Sequence, residues 1–512
     1  MLNSLAEKRR YRLSLSDIYE QAGVGDRLEW ATTIPVVLPD GNDPFPHQIK
    51  NINRALCFDR YGIFDEPGTG KTFSMQAVAM YYAGFGNKVV VVMPPALLIQ
   101  FRESFHDTFP GFDAHFSLHI LNQGPKERDR LFRSWESSGY PDFMLMSYEL
   151  FSKLDSNGGI AYLLKQAGYS YLICDEAQNL KNPSSNRHKV VAWFLGDKRG
   201  RKGSDAGLLL ATGTPTHNSL LDAYGLIKLI TPGKYNSKRA FERVHCIYTM
   251  QSNGFHKLIG FRNKDALHRA LYAQASRVTK DKVFSMIPPT LITVPVELHP
   301  GHKALYKKLL TERILEIGDK VISAVTAQSL RQKALRIVTT PHNFTDKPVR
   351  NAVLDAVSTL IDGIDIENRE KVVMFCNYQD TVEFFARKFE HLGAVTLYGG
   401  TGNNQKSINA FLKDDKCRIL VAHPRSGGVG LNLQSVCRYV IFVEPVSVPG
   451  DFRQAMERVY RPGQKRPVTV WIVKAVGTTS PYMIRNMLRK EGESAEVNLD
   501  RSELLKQLTG SV

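Results

Sequence analysis

The chain has 512 residues, of which 43% are hydrophobic and 23% charged, and such proportions are typical of globular proteins with two or three cores. Lysine and arginine outnumber aspartate and glutamate by 67 to 50, which gives a formal net charge of +17 and argues for a polyanionic partner such as DNA or RNA. A single compact domain does not fit this length. A basic protein that binds no polyanion is the alternative, and the charge alone does not exclude it.

The cysteines and the apolar runs argue against secreted, zinc-binding and membrane proteins. No apolar run approaches the ~20 residues of a membrane-spanning helix, and the N-terminus is charged where a signal peptide needs an apolar stretch. We therefore expect no membrane association and a reducing compartment: the cytoplasm, or the nucleus of a eukaryotic host. The cysteines are scattered without CxxC spacing, as free thiols are, at Cys57, Cys174, Cys246, Cys376, Cys417 and Cys437.

Residues 1–40 are predicted to be an N-terminal extension that precedes the first α/β pattern. Basic side chains concentrate near its start, at Lys8, Arg9, Arg10 and Arg12. Two interpretations remain open for this segment. It is either a small extension that contacts DNA or a partner, or an ordinary cap helix.

Residues 41–232 are predicted to be a first α/β lobe. Short β-rich runs at 88–93, 143–147, 171–174 and 208–211 alternate with helical patterns, which indicates βαβ units around a parallel sheet. The basic, glycine-containing stretch 197–207 is predicted to be a loop. It is interpreted as a solvated turn, with a DNA contact as the alternative.

A phosphate-binding loop is predicted within this lobe, in the segment GIFDEPGTGKTFSMQAVAM. Gly68 and Gly70 allow backbone amides to approach phosphates, and Lys71 reaches toward the β and γ phosphates. The Thr72 hydroxyl is placed to bind Mg²⁺. Asp65 stands where the strict GxxxxGK[ST] pattern has its first glycine, so the motif is incomplete when taken alone.

An acidic pair, Asp175 and Glu176, follows the apolar run 171–174. Carboxylates at the end of a parallel strand face the ligand crevice. A lone pair of this kind is usually a solvated turn. Together with the upstream loop it predicts a hydrolytic site, in which Asp175 holds Mg²⁺ and Glu176 orients and deprotonates the attacking water.

The rest of the chain is divided into three predicted parts. Residues 233–350 lack the alternation and are rich in helical, basic segments, which predicts a helical insertion. Residues 351–480 resume the α/β pattern, with strands predicted at 371–376, 394–398, 418–422, 439–443 and 468–473. Residues 481–512 are predicted to be a helical tail.

These motifs together resemble superfamily two helicases, and the later ones resemble the Swi/Snf-type branch, over residues 45–478. The resemblance implies two RecA-like α/β lobes of parallel sheets flanked by helices, with a helical insertion between them. FPHQ is similar to the Q motif, so Gln48 is the implied reader of adenine. ATGTPTHN is similar to motif III, which implies that Thr212, Gly213 and Thr214 couple the ATP state to the DNA grip; it is also a Gly-Pro turn with a helix cap. The implied ATP-binding residues of the first lobe are Gln48, Pro67, Gly68, Thr69, Gly70, Lys71 and Thr72.

Second-lobe motifs carry the most specific resemblance. SGGVGLNLQ is similar to motif V and QAMERVYRPGQ to motif VI. The resemblance implies that Arg458 and Arg461, three positions apart as on one helix face, are arginine fingers that reach the γ-phosphate across the cleft. Arg277 lies in a segment similar to the end of the family's first protrusion. The remaining implied contacts are Gly430 to ATP, and Gly427, Gly428, Asn432 and Gln454 to DNA or to the coupling machinery.

Three departures from the family pattern bear on which subfamily the chain resembles. DEAQ replaces the usual DEAH or DEGH, and the catalytic carboxylates remain. Ser447 and Val448 stand in place of the usual tryptophan and asparagine before motif VI. After it, GTTSP replaces the usual threonine followed by acidic residues.

We predict from this resemblance a monomeric, DNA-dependent ATPase that uses ATP and Mg²⁺ to translocate on double-stranded or branched DNA. It would remodel DNA structures by branch migration, fork remodelling or strand annealing, or displace bound protein. The short segments outside the motifs favour a compact microbial or viral motor over a chromatin remodeller. Two alternatives are an RNA or single-strand helicase that unwinds duplexes, and a nucleic-acid-binding scaffold whose ATPase has decayed.

Overall fold

The computed structural model describes residues 44–109, 112–154, 159–196, 206–251, 254–317, 324–364, 370–399, 404–425 and 432–498. The chain forms two compact units, unit 1 with Met1–Val283 and Ser494–Val512, and unit 2 with Phe284–Glu493. The predicted extension 1–40 and the predicted loop, up to residue 205, lie outside the described residues. None of the described helices is long and apolar enough to cross a membrane.

Unit 1 is built on a seven-stranded sheet with the strand order β3-β4-β2-β5-β6-β1-β9, and all its strand pairs are parallel. The crossovers between parallel strands are helical, as such sheets require. The strands are β1 (Arg60–Ile63), β2 (Lys88–Met93), β3 (Leu118–Ile120), β4 (Phe143–Ser147), β5 (Tyr169–Asp175), β6 (Gly207–Ala211) and β9 (Ala275–Ser276).

Helices cover both faces of this sheet, so its central strands are buried on both sides. In β2, Val90 and Val92 pack into one apolar core, whereas Val89 and Val91 pack into the other. This explains why the continuous apolar run KVVVVM predicts a strand. The helices that begin in unit 1 are α1 (Pro46–Cys57), α2 (Lys71–Gly84), α3 (Leu98–Thr108), α4 (Phe112–His115), α5 (Pro125–Ser138), α6 (Tyr148–Phe151), α7 (Ile160–Gln166), α8 (Asn186–Phe194), α9 (Ala223–Ile230), α10 (Lys238–His245), α11 (Lys264–Leu271) and α12 (Lys280–Val283).

A separate antiparallel hairpin lies between α10 and α11. Its strands are β7 (Cys246–Met250) and β8 (His256–Phe261), and they form a two-stranded sheet of their own. Among the described strands, neither pairs with the seven-stranded sheet.

Unit 2 contains a six-stranded sheet with the order β10-β15-β14-β11-β13-β12, whose strand pairs are again all parallel. Met374 packs into the core on one face and Val373 into the core on the other. The strands are β10 (Thr290–Glu297), β11 (Val372–Phe375), β12 (Val395–Leu397), β13 (Ile419–Ala422), β14 (Tyr439–Phe442) and β15 (Thr469–Val476). The helices that begin in unit 2 are α13 (Pro300–Ile317), α14 (Ala324–Thr339), α15 (Ala352–Asp362), α16 (Gln379–Lys388), α17 (Asn404–Lys413), α18 (Pro449–Met456) and α19 (Ser480–Asn498).

The prediction of two parallel α/β sheets is confirmed, and the segment 233–350 needs a correction. Its described part contains the five helices α10–α14, but also the four strands β7–β10, which the sequence analysis did not predict. Strand β9 pairs at the edge of the first sheet and β10 at the edge of the second. Pro295 lies within β10, where an edge strand tolerates the missing amide donor.

Candidate active site

The glycine-rich turn between β1 and α2 depends on two left-handed glycines. Gly68 has φ 86° and Gly70 has φ 85°, a conformation that residues with a Cβ adopt rarely. A Cβ on Gly70 would also lie 2.2 Å from Gln48 Nε2. The turn ends at the first residue of α2, whose free backbone amides and positive dipole end form an anion site.

Lys71 is held at the mouth of this turn by backbone carbonyls. Its Nζ donates hydrogen bonds to the carbonyl oxygens of Asp65 (2.8 Å) and Glu66 (3.0 Å). Thr69 is fixed in the same loop, because its hydroxyl donates to the Glu66 carbonyl over 2.8 Å. Thr72 is exposed on the first turn of α2. The loop therefore presents an ammonium group, a hydroxyl group and helix-end amides together.

Asp65, the departure from the strict motif, is a buried structural residue. Its Oδ2 accepts a hydrogen bond from Asn51 Nδ2 (2.5 Å) and its Oδ1 accepts one from the backbone amide of Val278 (2.8 Å). Burial raises the pKa of this carboxyl group, while nearby Lys71 lowers it. Asp65 thus fastens the phosphate-binding loop to α1 and to the segment after β9, a role that the motif alone did not indicate.

Gln48 is buried at the start of α1, and both ends of its amide are in use. Its Oε1 accepts from the Phe45 backbone amide (2.8 Å), and its Nε2 donates to the Gly70 carbonyl (3.1 Å). The side chain therefore joins the Q motif to the phosphate-binding loop. A cavity of about 740 Å³ is lined by residues that flank Gln48 in the sequence, Phe45, Lys50 and Arg54 among them.

The acidic pair ends strand β5, as predicted. Burial, and to a smaller extent the neighbouring Glu176, raises the pKa of Asp175 to about 7. The Asp175 carboxylate accepts a hydrogen bond from the Glu176 amide (2.9 Å), and its carbonyl accepts one from the Tyr148 hydroxyl (2.6 Å). Glu176 has φ 51°, and such a backbone conformation in a residue with a Cβ is often found at functional sites.

A continuous chain of hydrogen bonds joins the acidic pair to motif III. Gln178 Nε2 donates to Glu176 Oε2 (2.8 Å), and Gln178 Oε1 accepts from the Thr212 hydroxyl (2.6 Å). The Thr212 hydroxyl in turn accepts from the Thr214 amide (3.0 Å). The glutamine of DEAQ therefore bridges the two motifs, a contribution that the sequence analysis missed.

Two further contacts bring motif III and the phosphate-binding loop together. A Cβ on Gly213 would lie 2.5 Å from Pro67 Cδ, so only glycine fits against the loop there. The buried guanidinium of Arg277 donates to the carbonyls of Phe64 (2.8 Å) and Gly213 (3.4 Å), and its Nη2 lies 3.3 Å from Glu66 Oε1. Arg277 is thus a positioning residue of unit 1.

The last turn of α19 also contacts motif III within unit 1. The Thr216 and Ser494 hydroxyl groups are 2.5 Å apart, and Asn498 Nδ2 donates to the Thr216 hydroxyl over 2.7 Å. The Tyr272 hydroxyl donates to Asn498 Oδ1 over 3.0 Å. These bonds fix the position of the chain that leaves motif III.

In unit 2, the two predicted arginine fingers lie just beyond α18, which ends at Met456, in turns and not on one helix face. Arg461 donates to Asn432 Oδ1, and the Arg458 carbonyl accepts from the Leu433 amide. Burial lowers the pKa of the Arg461 guanidinium. These bonds bring the described end of motif V together with motif VI.

Of the remaining predicted site residues of unit 2, only some lie in the described part of the chain. Gln454 lies half-buried on α18. Gly427, Gly428 and Gly430 lie outside the described residues.

The donors in unit 1 fit a magnesium ion that is completed by phosphate and water. Mg²⁺ is usually held by one or two carboxylates plus substrate phosphates, not by an all-protein cage. The carboxyl of the half-buried Asp175 and the exposed Thr72 hydroxyl are such a sparse set, and no cluster of three or more His, Cys, Asp or Glu side chains that could hold a metal ion occurs in the described part of the chain.

Two family models match consecutive parts of the chain. The SNF2-related domain matches residues 58–348, and the helicase conserved C-terminal domain matches residues 353–463. The first match contains the phosphate-binding loop and the acidic pair, and the second contains Arg458 and Arg461. The motifs described above, apart from the Q motif and the last residue of motif VI, therefore fall within the matched regions.

Individual relatives and solved structures are more distant. An uncharacterized ATP-dependent helicase of Mycoplasma pneumoniae is 25% identical over 472 residues, which cover 89% of this chain and 42% of the relative. The uncharacterized ATP-dependent helicase YqhH of Bacillus subtilis is 21% identical over 485 residues, covering 89% of this chain and 79% of that protein. The SWI2/SNF2 ATPase core of Sulfolobus solfataricus, solved in complex with dsDNA, is 21% identical with a TM-score of 0.38, covering 91% of this chain and 97% of that structure. This chain thus spans less than half the length of the mycoplasma relative.

Proposed function

The chain belongs to the SNF2-related family of ATP-dependent helicases and ATPases, and we propose that it uses ATP hydrolysis to translocate on double-stranded or branched DNA. Such movement would remodel DNA structures or displace bound protein. The observation that carries the proposal is the hydrogen-bonded chain from Glu176 through Gln178 to Thr212, because it links the hydrolytic carboxylate to the motif assigned to DNA grip.

Each side chain of the ATP site has a role that its chemistry suits. Lys71 neutralises the β and γ phosphates, and Glu176 orients the attacking water and accepts its proton. Mg²⁺, when bound, supplies charge neutralisation at the phosphates, and Thr72 and Asp175 would hold it. In the second lobe, Arg458 and Arg461 remain the proposed arginine fingers, since a guanidinium binds phosphate oxygens in a bidentate manner.

The nucleotide base has a proposed place beside the Q motif. The cavity at the Q motif is lined by an aromatic ring, Phe45, and by basic side chains that include Lys50. The Gln48 amide now bonds the Phe45 amide and the Gly70 carbonyl. Adenine recognition by Gln48 would add to these bonds or replace one of them, so nucleotide occupancy would be communicated to the phosphate-binding loop.

DNA is the proposed partner because the chain carries a formal net charge of +17 and belongs to a helicase-related family. Contacts mainly to phosphates give affinity with little sequence preference and a steep dependence on salt. We propose that the chain acts as a monomer in the cytoplasm of a bacterial, archaeal or infected host cell, or in the nucleus if it is eukaryotic.

ATP turnover with a panel of nucleic acids tests this proposal. The purified protein is assayed alone and with single-stranded DNA, linear duplex, forked and four-way-junction DNA, and RNA, with Glu176→Gln as the control. Duplex or branched DNA is expected to stimulate hydrolysis strongly, and the substitution is expected to abolish it while nucleotide binding persists.

Two other outcomes of the same assay identify the alternatives. Stimulation by RNA or single strands alone would favour a strand-separating helicase. No turnover with any polynucleotide would favour a scaffold with a decayed ATPase, although Lys71, Asp175, Glu176, Arg458 and Arg461 are all present.

A further inference from the structure

The hairpin β7–β8 is a protruding element with a fixed base. The Arg262 amide donates to the His245 carbonyl (2.9 Å), and Asn263 Nδ2 donates to the Val244 carbonyl (2.7 Å), which closes the open end of the hairpin. The Tyr235 hydroxyl lies 2.6 Å from His245 Nε2 and ties this base to unit 1. These hydrogen bonds therefore fix the position of the two strands at the base of the hairpin.

Apolar side chains on this hairpin face solvent to an unusual degree. Phe255 is 73% exposed, Met250 70%, Ile259 53% and Tyr248 39%. An isolated two-stranded hairpin gains little stability from its own pairing, so exposed apolar groups on it do not serve folding. A cluster of this kind on a soluble unit marks an interaction site.

The cross-strand register gathers rings on one face. Tyr248 lies opposite Leu258, and Met250 lies opposite His256, so that these four side chains share a face of the two-stranded sheet. The Tyr248 and His256 rings are 6.5 Å apart in an edge arrangement. Phe255 directly precedes His256, outside the paired register, at the turn of the hairpin. Its exposed ring and the rings of Tyr248 and His256 offer flat surfaces of the kind on which nucleobases stack.

The charges around the hairpin indicate which class of partner it binds. Only one acidic residue, Glu242, occurs between residues 238 and 264. Lys238 and Lys264 are paired with Glu242 and Glu496, and the other basic side chains of the segment favour a polyanion over an apolar protein surface. The six lysines and arginines of this segment are Lys238, Arg239, Arg243, Lys257, Arg262 and Lys264.

We propose that the β7–β8 hairpin is a second nucleic-acid contact, which stacks Phe255 and its neighbouring apolar side chains on unpaired bases at a branch point of DNA. The basic residues around it hold the adjoining phosphates. The inference rests on the proposed function, to which it adds a preference for branched over plain duplex DNA. Duplex binding through phosphates does not require this face.

Binding measurements without ATP test the hairpin separately from the motor. The full chain, the double variant Met250→Ala/Phe255→Ala and the conservative variant Phe255→Trp are titrated with blunt duplex and with a fork that carries 2-aminopurine at an unpaired position next to the branch. Tyr482→Ala is the matched control, because Tyr482 is 55% exposed on α19, outside the hairpin.

The unsubstituted chain is expected to bind the fork about tenfold more tightly than the blunt duplex, because one stacked base adds about that much affinity, and to change the 2-aminopurine fluorescence. The double variant should lose both effects and retain its affinity for blunt duplex and its duplex-stimulated ATP turnover. Phe255→Trp and Tyr482→Ala should behave as the unsubstituted chain does.

Three results would overturn the inference. These are an unchanged fork preference in the double variant, an equal loss of affinity for fork and blunt duplex, or a change confined to self-association in sedimentation experiments. Because binding is read without ATP, a chain whose ATP turnover no DNA stimulates would contradict the proposed motor, while the comparison of fork and duplex would still decide on the hairpin.

Discussion

Neighbouring carboxyl groups at the end of β5 are held in different ways. Asp175 is half-buried and accepts a hydrogen bond from the amide of Glu176, whereas the Glu176 carboxylate accepts one from Gln178. Both acids follow an apolar run directly in the sequence, so their place at the strand end could be predicted. The bridge through Gln178 could not, because its second partner, Thr212, lies 34 positions further along the chain.

Gln178→Ala tests whether this bridge positions the catalytic carboxylate. We expect kcat to fall about tenfold with little change in the KM for ATP, because the substitution loosens Glu176 and leaves the phosphate-binding loop intact. Steady-state ATP turnover with saturating duplex DNA measures both constants. Gln178→His should restore much of the rate, since histidine is usual at this position in the family. Equal rates for Gln178→Ala and the unsubstituted chain would show that the bridge does not contribute to catalysis.

Glu444 is a buried carboxyl group in unit 2 that the sequence analysis did not identify. Its Oε1 accepts from the hydroxyl groups of Thr339 (2.7 Å) and Thr381 (3.0 Å), and its Oε2 accepts from the Asn377 amide (2.5 Å). Burial raises the pKa of Glu444 to about 7 despite these donors. The residue follows β14 and joins it to α14, α16 and the end of β11.

The raised pKa of Glu444 predicts a pH dependence of local stability. Since its folded pKa lies above the value of an unfolded chain, Glu444 contributes most at low pH, and this contribution is lost as the pH rises through about 7. Relative to Glu444→Gln, which does not titrate, the unsubstituted chain should gain about 2 kcal/mol of local stability between pH 8 and pH 5.5. Hydrogen exchange of the β11 and β14 amides measures this local stability in both proteins. A stability difference between them that does not vary with pH would refute the raised pKa of Glu444.

At the scale of elements, strands with continuous apolar runs were predictable, whereas the edge strands β3, β9 and β10 were not predicted. Strands β2 and β4 have the predicted bounds because both faces of each are buried, so that nearly every side chain is apolar. Strand β9 has two residues, and β10 is largely exposed. Their pairing depends on neighbours far away in the sequence, which local patterns do not reveal.

The consensus sequence of the phosphate-binding loop does not account for the stability of the loop in this chain. Asp65→Gly restores the strict motif, yet it removes the acceptor for Asn51 and for the Val278 amide. We expect a loss of about 2 kcal/mol or more and weaker ATP binding, because two buried donors lose their partner and the chain gains flexibility.

Thermal unfolding and titration with a fluorescent ATP analogue measure these two effects. Asp65→Asn is the matched control, since its amide oxygen still accepts one of the two bonds, and it should lie between Asp65→Gly and the unsubstituted chain. A more stable, tighter-binding Asp65→Gly protein would show that the consensus glycine is preferred and that the contacts of Asp65 are incidental.

For the whole molecule, the proposed function joins an ATP site to movement along DNA. The SNF2-related and helicase C-terminal matches follow one another along the chain, as the order of the motifs predicted. Both large sheets are parallel, as predicted. The family and the fold class could be predicted because the motifs lie at strand ends, where chemistry constrains sequence. The hairpin could not, because its apolar residues resemble those of a buried strand until their exposure is known.

Displacement of a third strand from a triplex on linear duplex DNA tests the translocase most directly. With ATP, the protein should release the third strand without separating the underlying duplex, and Glu176→Gln or a non-hydrolysable ATP analogue should prevent the release. Release that is independent of ATP, or ATP-driven unwinding of the duplex with no triplex displacement, would contradict movement along double-stranded DNA.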